Sequence, residues 1–325
     1  MKNVRWKQFF IHNSALVTLI LLLIIATIVM GSTFFNVNNI VNILLNNAII
    51  GIIALGMTLV IISGGIDLSV GAASAASGLV ALWVMNSTSS IFLGVAAAFA
   101  IGILTGAFNG LLVSRFGIPA FIVTLGAMRI FRSLSQHFFR GGGILVSSTP
   151  ENNLTAFLAF SNHRLFGIIP LPVLYWLFLA ALVSLIAKRT ALGRHIYAVG
   201  SNERAANLSA INVKRIKTYV YMISGALVAF SAIVEASRIG SMNSSASGNF
   251  YELEAIAAVI IGGTAMSGGR GRVIGTVFGT LTLGVINNMM NLMGLPSFLV
   301  GAIQGTILIL AVLLQRSMAL KEKQF

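Results

Sequence analysis

The chain has 325 residues, of which 57% are hydrophobic and only 9% charged, with a net charge of +14 and no cysteine. A soluble domain is typically about 45–50% apolar and about 25% charged and needs those charges on its outside, so a water-soluble fold is excluded. Disulfides, thiol catalysis and cysteine-based metal sites are excluded with the cysteines.

The 21 basic residues against 7 acidic ones would suggest nucleic acid in a soluble protein. Here no basic run is interleaved with aromatics, as a nucleic-acid surface requires. The excess reads instead as basic residues at helix ends, holding orientation in a lipid bilayer and meeting anionic lipid. One helical span takes about 20 residues. The composition therefore predicts an all-α, polytopic bundle of about ten spans, a single transmembrane domain over residues 1–325 with no second soluble domain.

At the N-terminus Lys2, Arg5 and Lys7 precede an apolar run from Ala15 to Met30. Gly31-Ser32-Thr33-Phe34-Phe35 follows it without a small-x-small cleavage pattern, so the run reads as a first span and not as a signal peptide. Apolar stretches broken by polar residues, Gly or Pro place spans near 14–34, 40–63, 68–86, 90–113, 119–135, 166–187, 217–237, 252–267, 272–293 and 297–315. Gly102, Gly106 and Gly110 in the fourth, and Gly275 and Gly279 in the ninth, fall four apart, a spacing that lets helix backbones approach closely. With the N-terminus inside, only Arg129, Arg132, Arg140, Arg164 and Arg238 fall outside or near it; the other basic residues lie on the inner side. That asymmetry selects N-in, C-in and an even number of spans.

Two hydrophilic regions interrupt the spans. The outer one, Gln136 to Asn162, contains Gly141-Gly142-Gly143 and Pro150-Glu151-Asn152-Asn153. The inner one, Lys188 to Thr218, is far longer than the 2–8 residues that join two packed helices, which points to an interaction. Within it Glu203 to Leu208 reads as a short helix capped by Ser201 or Asn202.

The acidic residues are Asp67, Glu151, Glu203, Glu235, Glu252, Glu254 and Glu322. Glu151, Glu203 and Glu322 read as solvated. Asp67 lies in Ser63-Gly64-Gly65-Ile66-Asp67-Leu68-Ser69-Val70-Gly71, between two spans. An ionised Asp at a span centre costs about 2.5–3.5 kcal/mol, so it needs partners. Gly64 and Gly65 permit a tight break, after which Asp67 or Ser69 can cap the next helix; direct contact with a transported molecule is the alternative. Glu252 and Glu254 open the eighth span in the same manner. Glu235 stands three residues before Arg238, within pairing distance on a helix.

Enzyme signatures are missing. His12, His137, His163 and His195 are scattered, with no HExxH or other metal spacing, and no GxSxG occurs. No catalytic, cofactor-binding or metal-ligating residue is assigned. Gly269 to Gly275 is one residue too long for GxGxxG and reads as a turn, and no Walker A motif occurs, so the chain has no P-loop for ATP. These residues leave a transporter of undecided energy source, ion-coupled or otherwise.

Three segments carry a resemblance. Gly56-Met57-Thr58-Leu59-Val60-Ile61 with Ser63 to Gly71, then Thr190 to Leu208, then Tyr251 to Thr264 followed by Ser267-Gly268-Gly269 and Gly271, resemble in order the ribose-type (monosaccharide) ABC importer permeases. Small departures are Glu254, where that family commonly has Asp, and Ala210, where it often has Gly. The resemblance implies a multi-pass protein of the bacterial inner membrane that pairs with a second, usually identical permease copy. It further implies a cytoplasmic ATP-binding subunit holding ATP and Mg, and an external sugar-binding protein. It makes Gly193, Arg194, Gly200, Ser201, Asn202, Glu203, Arg204, Ala205 and Ala206 the expected coupling segment, with small residues entering a groove on the ATPase. Gly64, Gly65, Asp67, Ser69, Glu252 and Glu254 are left as pathway or structural break.

Overall fold

The computed structural model describes residues 14–147 and 155–322. The expectations placed on Lys2, Arg5, Lys7, His12, Glu151 and Lys323 lie outside the described residues. A helix stands at each of the ten places where the apolar stretches put a span. These are α1 (Ser14–Met30), α2 (Val37–Ile62), α3 (Val70–Thr88), α4 (Ile91–Arg115) and α5 (Ala120–Phe138), then α7 (Leu171–Arg189), α10 (Val213–Ile239), α11 (Tyr251–Ile261), α12 (Val273–Leu292) and α13 (Ser297–Glu322). Shorter helices α6 (Thr155–Asn162), α8 (Ala191–Ser201) and α9 (Glu203–Leu208) lie in the two hydrophilic regions. The fold is all-α and polytopic.

Seven of these helices are long and apolar enough to cross a membrane: α1, α2, α3, α4, α7, α10 and α12. α5 and α13 are not among them, nor is the segment expected to cross at 252–267. Its helix α11 has 11 residues, and at about 1.5 Å per residue it covers roughly half of a hydrocarbon layer about 30 Å thick. Glycines 262 and 263 end it early, and the chain then turns through 262–272 into α12.

Two ends of the bundle are distinguished by their short elements. At one, β1 (Gly143–Leu145) pairs antiparallel with β4 (Ser241–Asn243), joining the segment after α5 to the end of α10. A second small ladder joins β2 (Arg164–Leu165) to β3 (Ile169–Pro170), just before α7. At the other end lie α8, α9 and the 262–272 turn. The strands went unread in the sequence because three alternating residues are too few to make a pattern.

Burial orders the helices. In its most apolar window α2 is 89% buried and α1 17%, so α2 is the hub and α1 lies at the edge. The four-residue glycine spacings act as expected. A Cβ on Gly102 would meet the Gly225 carbonyl, and one on Gly106 the Tyr221 carbonyl, so α4 and α10 touch main chain to main chain. Gly275 and Gly279 do the same for α12, against Gly262 just past α11 and Ala258 within it. Close contact matters here because apolar side chains gain little by leaving lipid for each other, and dispersion over a tight seam takes the place of the hydrophobic drive.

Candidate functional site

The coupling segment expected over 193–206 is two helices with a sharp joint. Thr190 makes the corner after α7: its Oγ1 donates to Ile186 O (2.7 Å) and accepts from Gly193 N (3.1 Å). Gly193 lies buried against the Ala187 carbonyl, while Arg194 beside it is exposed. Buried Gly193, Ile196 and Val199 share the face by which α8 lies on the bundle. The sequence missed α8 because its apolar positions alternate with Arg194, His195 and Tyr197 in a stretch that reads as charged loop.

At its far end α8 touches the bundle's main chain. A Cβ on Gly200 would meet Ile62 O and Gly269 N, and those two groups are themselves bonded, Gly269 N donating to Ile62 O at 2.8 Å. One turn earlier Tyr197 donates its hydroxyl to Gly271 O (2.8 Å). Burial pushes the Tyr197 phenol above its usual range, against the opposite pull of Arg272, which keeps it a neutral donor. The end of α2, the end of α8 and the 262–272 turn thus form one junction.

The next helix, α9, forms as expected, with Asn202 as its cap: Asn202 Oδ1 accepts from Ala205 N (3.0 Å). Glu203 is paired with Lys217 at 2.6 Å, an exposed bridge worth about 0–1 kcal/mol that ties α9 to the first turns of α10. The two alanines divide. Ala206 is buried in the bundle, whereas Ser201, Asn202, Arg204 and Ala205 are exposed, as is Leu208 at 89%. Ala205 and Leu208, three apart, share a face. After α9 the chain turns on Ala210 with φ 61°, the left-handed region that glycine occupies without steric cost.

Between α2 and α3 the break is built by side chains within it. Gly64 has φ 83°, and Gly65 N donates back to Val60 O. Buried Asp67 accepts through Oδ1 from Ser69 N (2.9 Å) and Ser69 Oγ (2.7 Å), and Asn109 of α4 donates to the same oxygen (3.4 Å) and to Ser69 Oγ (2.7 Å). Tyr221 of α10 closes the loop from the other side by donating to Ile66 O (3.0 Å).

The start of α11 meets this break. Gly248 and Gly71 are in main-chain contact, and Glu252 Oε2 stands 2.8 Å from where a Gly71 Cβ would be. From that level α3 runs to the β1–β4 end and α11 to the α8–α9 end. The irregular segment leading into α11 is held by Arg132 of α5, whose Nη1 donates to Ser244 O (3.1 Å) and Ser247 O (2.7 Å). Non-helical backbone at membrane depth persists only where such donors replace water. Arg132→Met leaves both carbonyls without this donor, at about 1–3 kcal/mol each. The midpoint of thermal unfolding in detergent is expected to drop, with Arg132→Lys in between; an unchanged midpoint for the Met variant would remove the clamp from this account.

Glu254 faces elsewhere. It accepts from Gln304 Nε2 of α13 (3.2 Å), which also donates to Asn287 Oδ1 (3.0 Å). The expected pair of Glu235 with Arg238 is not formed. Tyr251 donates its hydroxyl to Glu235 Oε1 (2.9 Å), and Arg238 Nη2 donates to Asn46 Oδ1 of α2 (2.7 Å). The helix spacing allowed the ion pair, but neighbours from α11 and α2 take both heads. What the sequence reading passed over is the asparagine content of two apolar spans. Asn39, Asn42 and Asn46 recur at intervals of three and four on α2, and Asn287, Asn288 and Asn291 cluster near the end of α12.

Comparison with known proteins follows the same lines. The family described as branched-chain amino acid transport system / permease component matches residues 39–312. The chain is 39% identical over 311 residues to the ribose import permease of Escherichia coli, covering 94% of both chains. It is 39% identical over 296 residues to that of Bacillus subtilis, covering 91% of this chain and 90% of the relative. To the fructose import permease of Rhizobium meliloti it is 34% identical, covering 94% and 86%. No solved structure matches. With a multi-pass helical fold and likeness of this extent to bacterial permeases, the chain is a multi-pass inner-membrane transport subunit: it belongs to this family of permeases and, within it, to the ribose-type ABC permeases.

Proposed function

We propose that the chain forms the membrane path of an ATP-driven importer of a monosaccharide, as one of two identical copies. A separate cytoplasmic subunit binds ATP and Mg, and an external binding protein delivers the sugar. The relatives' substrates, ribose and fructose, support the choice of a single sugar unit. The basic residues support an orientation with α8, α9 and the 262–272 turn in the cytoplasm and the β1–β4 ladder outside. On that reading the N- and C-termini are both inside, and α11 with the segment before it supplies one of about ten passages.

The observation that carries the coupling reading is the junction beneath Gly200. An ATPase that moves α8 and α9 pushes on the end of α2 and on the turn joining α11 to α12, because main chain touches main chain there. Rigid helices then carry the displacement across the membrane. Gly193 and Arg194 set the entry of α8, Glu203 anchors α9 to α10, and Ser201, Asn202, Arg204 and Ala205 present the docking face. Asp67 and Ser69 hold the break that lets α2 and α3 meet at an angle, and Glu252 belongs to the same structural knot.

The test is uptake into proteoliposomes that contain the chain, its ATP-binding subunit and its binding protein. Labelled ribose is expected to accumulate only with internal ATP and the loaded binding protein, and to do so unchanged when an uncoupler is added. Uptake that needs neither, or that collapses with the proton gradient, overturns the reading.

A further inference from the structure

Within the outer half of the bundle a cavity of about 300 Å³ lies between α2, α10, α11 and α12. We propose that this cavity is a transit site that holds one neutral monosaccharide by its hydroxyl groups, a proposal that rests on the importer reading above and adds a place and a set of recognising groups to it.

Its lining is unusual for a space among membrane helices. Five asparagines face it, Asn46 and Asn47 from α2 and Asn287, Asn288 and Asn291 from α12. An amide in hydrocarbon is costly unless it has partners, and a carboxamide offers both donors and acceptors, which matches a sugar hydroxyl that does the same. Several of these groups are half engaged. With Arg238 on Asn46 Oδ1 and Gln304 on Asn287 Oδ1, the amide NH₂ ends of Asn46 and Asn287 are left for an occupant. The remaining wall sets Glu235 and Arg238 of α10 and Glu254 of α11 beside Tyr251, Gly284 and four isoleucines.

Glu235 supplies an independent sign of a ligand. Its side chain is 3% exposed and one oxygen is held by Tyr251, yet Oε2 is buried with no hydrogen-bond partner. A buried acceptor without a donor is expensive, and a polyol hydroxyl would fill it. Small-molecule sites span about 300–1,000 Å³, so this volume suits one sugar ring and excludes an oligosaccharide.

The cavity is also placed where the coupling junction can act on it. The junction beneath Gly200 joins the end of α2 to the turn between α11 and α12, and those three helices line the cavity farther along, at Asn46, Tyr251 and Asn287. The fourth wall, α10, begins directly after α9. Displacement of α8 and α9 therefore reaches every wall, which is what a site that must release its sugar inward requires.

The natural absence of cysteine permits a background-free test in the full transporter. Asn291→Cys is placed in the chain and its reaction with a small hydrophilic thiol reagent is timed in proteoliposomes, with and without D-ribose at millimolar concentration and with glycerol as control. Ribose is expected to slow labelling at least threefold and glycerol not to. In parallel, Glu235→Gln, which keeps the shape and the Tyr251 contact, is expected to lower ATP-dependent ribose uptake at least tenfold. Binding-protein affinity and stimulated ATP hydrolysis should stay near wild type, and Asn46→Ala is a second variant should Glu235→Gln fold poorly. Wild-type uptake with no protection at Asn291→Cys, or with unchanged uptake in both variants, overturns the cavity assignment alone. Wild-type transporter without ATP-dependent sugar uptake overturns the importer reading instead.

Discussion

Replacing Ala205 with Trp is expected to strip the cytoplasmic ATPase from the purified permease, lowering the amount that co-purifies at least tenfold, about 1.4 kcal/mol or more of association free energy. Ala205 and Leu208 lie on one exposed face of α9, and Leu208 is 89% exposed. An exposed apolar side chain flanked by Arg204 and Asn202 has the make-up of an interface anchor with a polar rim. Trp at Ala205 enlarges the anchor beyond any groove shaped for a methyl group, and Leu208→Arg places a charge where desolvation is required. Both sites are exposed, so membrane insertion and the elution profile of the permease should not change. The contrast is Ala206, which is buried in the bundle. Trp at that position is expected to dislodge α9 itself and to lower thermal stability along with coupling. ATPase retention and normal transport with Ala205→Trp would remove α9 from the docking face.

The second large effect is structural. Gly106→Leu is expected to abolish recovery of folded protein in detergent, because any side chain there enters the Tyr221 carbonyl and lies 3.0 Å from Met222 Cα. Ordinary overpacking costs about 1–3 kcal/mol and is relieved by rotamer changes. Main chain has no rotamer to change, so α4 and α10 must separate along their whole seam. Against a total stability of about 5–15 kcal/mol that loss is severe. The same substitution at Gly126 of α5, whose added Cβ would have nothing within 4 Å, serves as the control and should leave the elution peak in place. A monodisperse Gly106→Leu protein with wild-type yield would contradict the seam.

The positions of the ten helical segments were legible in the chain, because apolar runs of span length leave lipid as their only stable surroundings. The glycine seams were legible too, since four-residue spacing puts small residues on one helix face whatever the partner is. So was α9, whose Asn202 cap and following Glu203 act locally. The length of the inner loop signalled a task, and the ordered motifs identified a family.

Tertiary structure decided the rest. The apolar run alone did not tell α11 apart from a full span; the helix stops where Gly262 meets the main chain of Gly275 and Gly263 turns with φ 83°. Glu235 and Arg238 had the right spacing to pair, but Tyr251 and Asn46, distant in sequence, claimed them. The inward turn of Ala206 and the outward turn of Ala205 depend on how α9 rests on the bundle. The polar cavity is the clearest case. Asparagines on α2 and α12 are about 240 residues apart in the chain and become one wall only when the helices pack. Sequence thus determined what lipid, capping and backbone contact demand of each segment by itself. The packing determined which polar groups face one another, because a burial cost carried by single residues can be met by many partners and only the folded bundle selects among them.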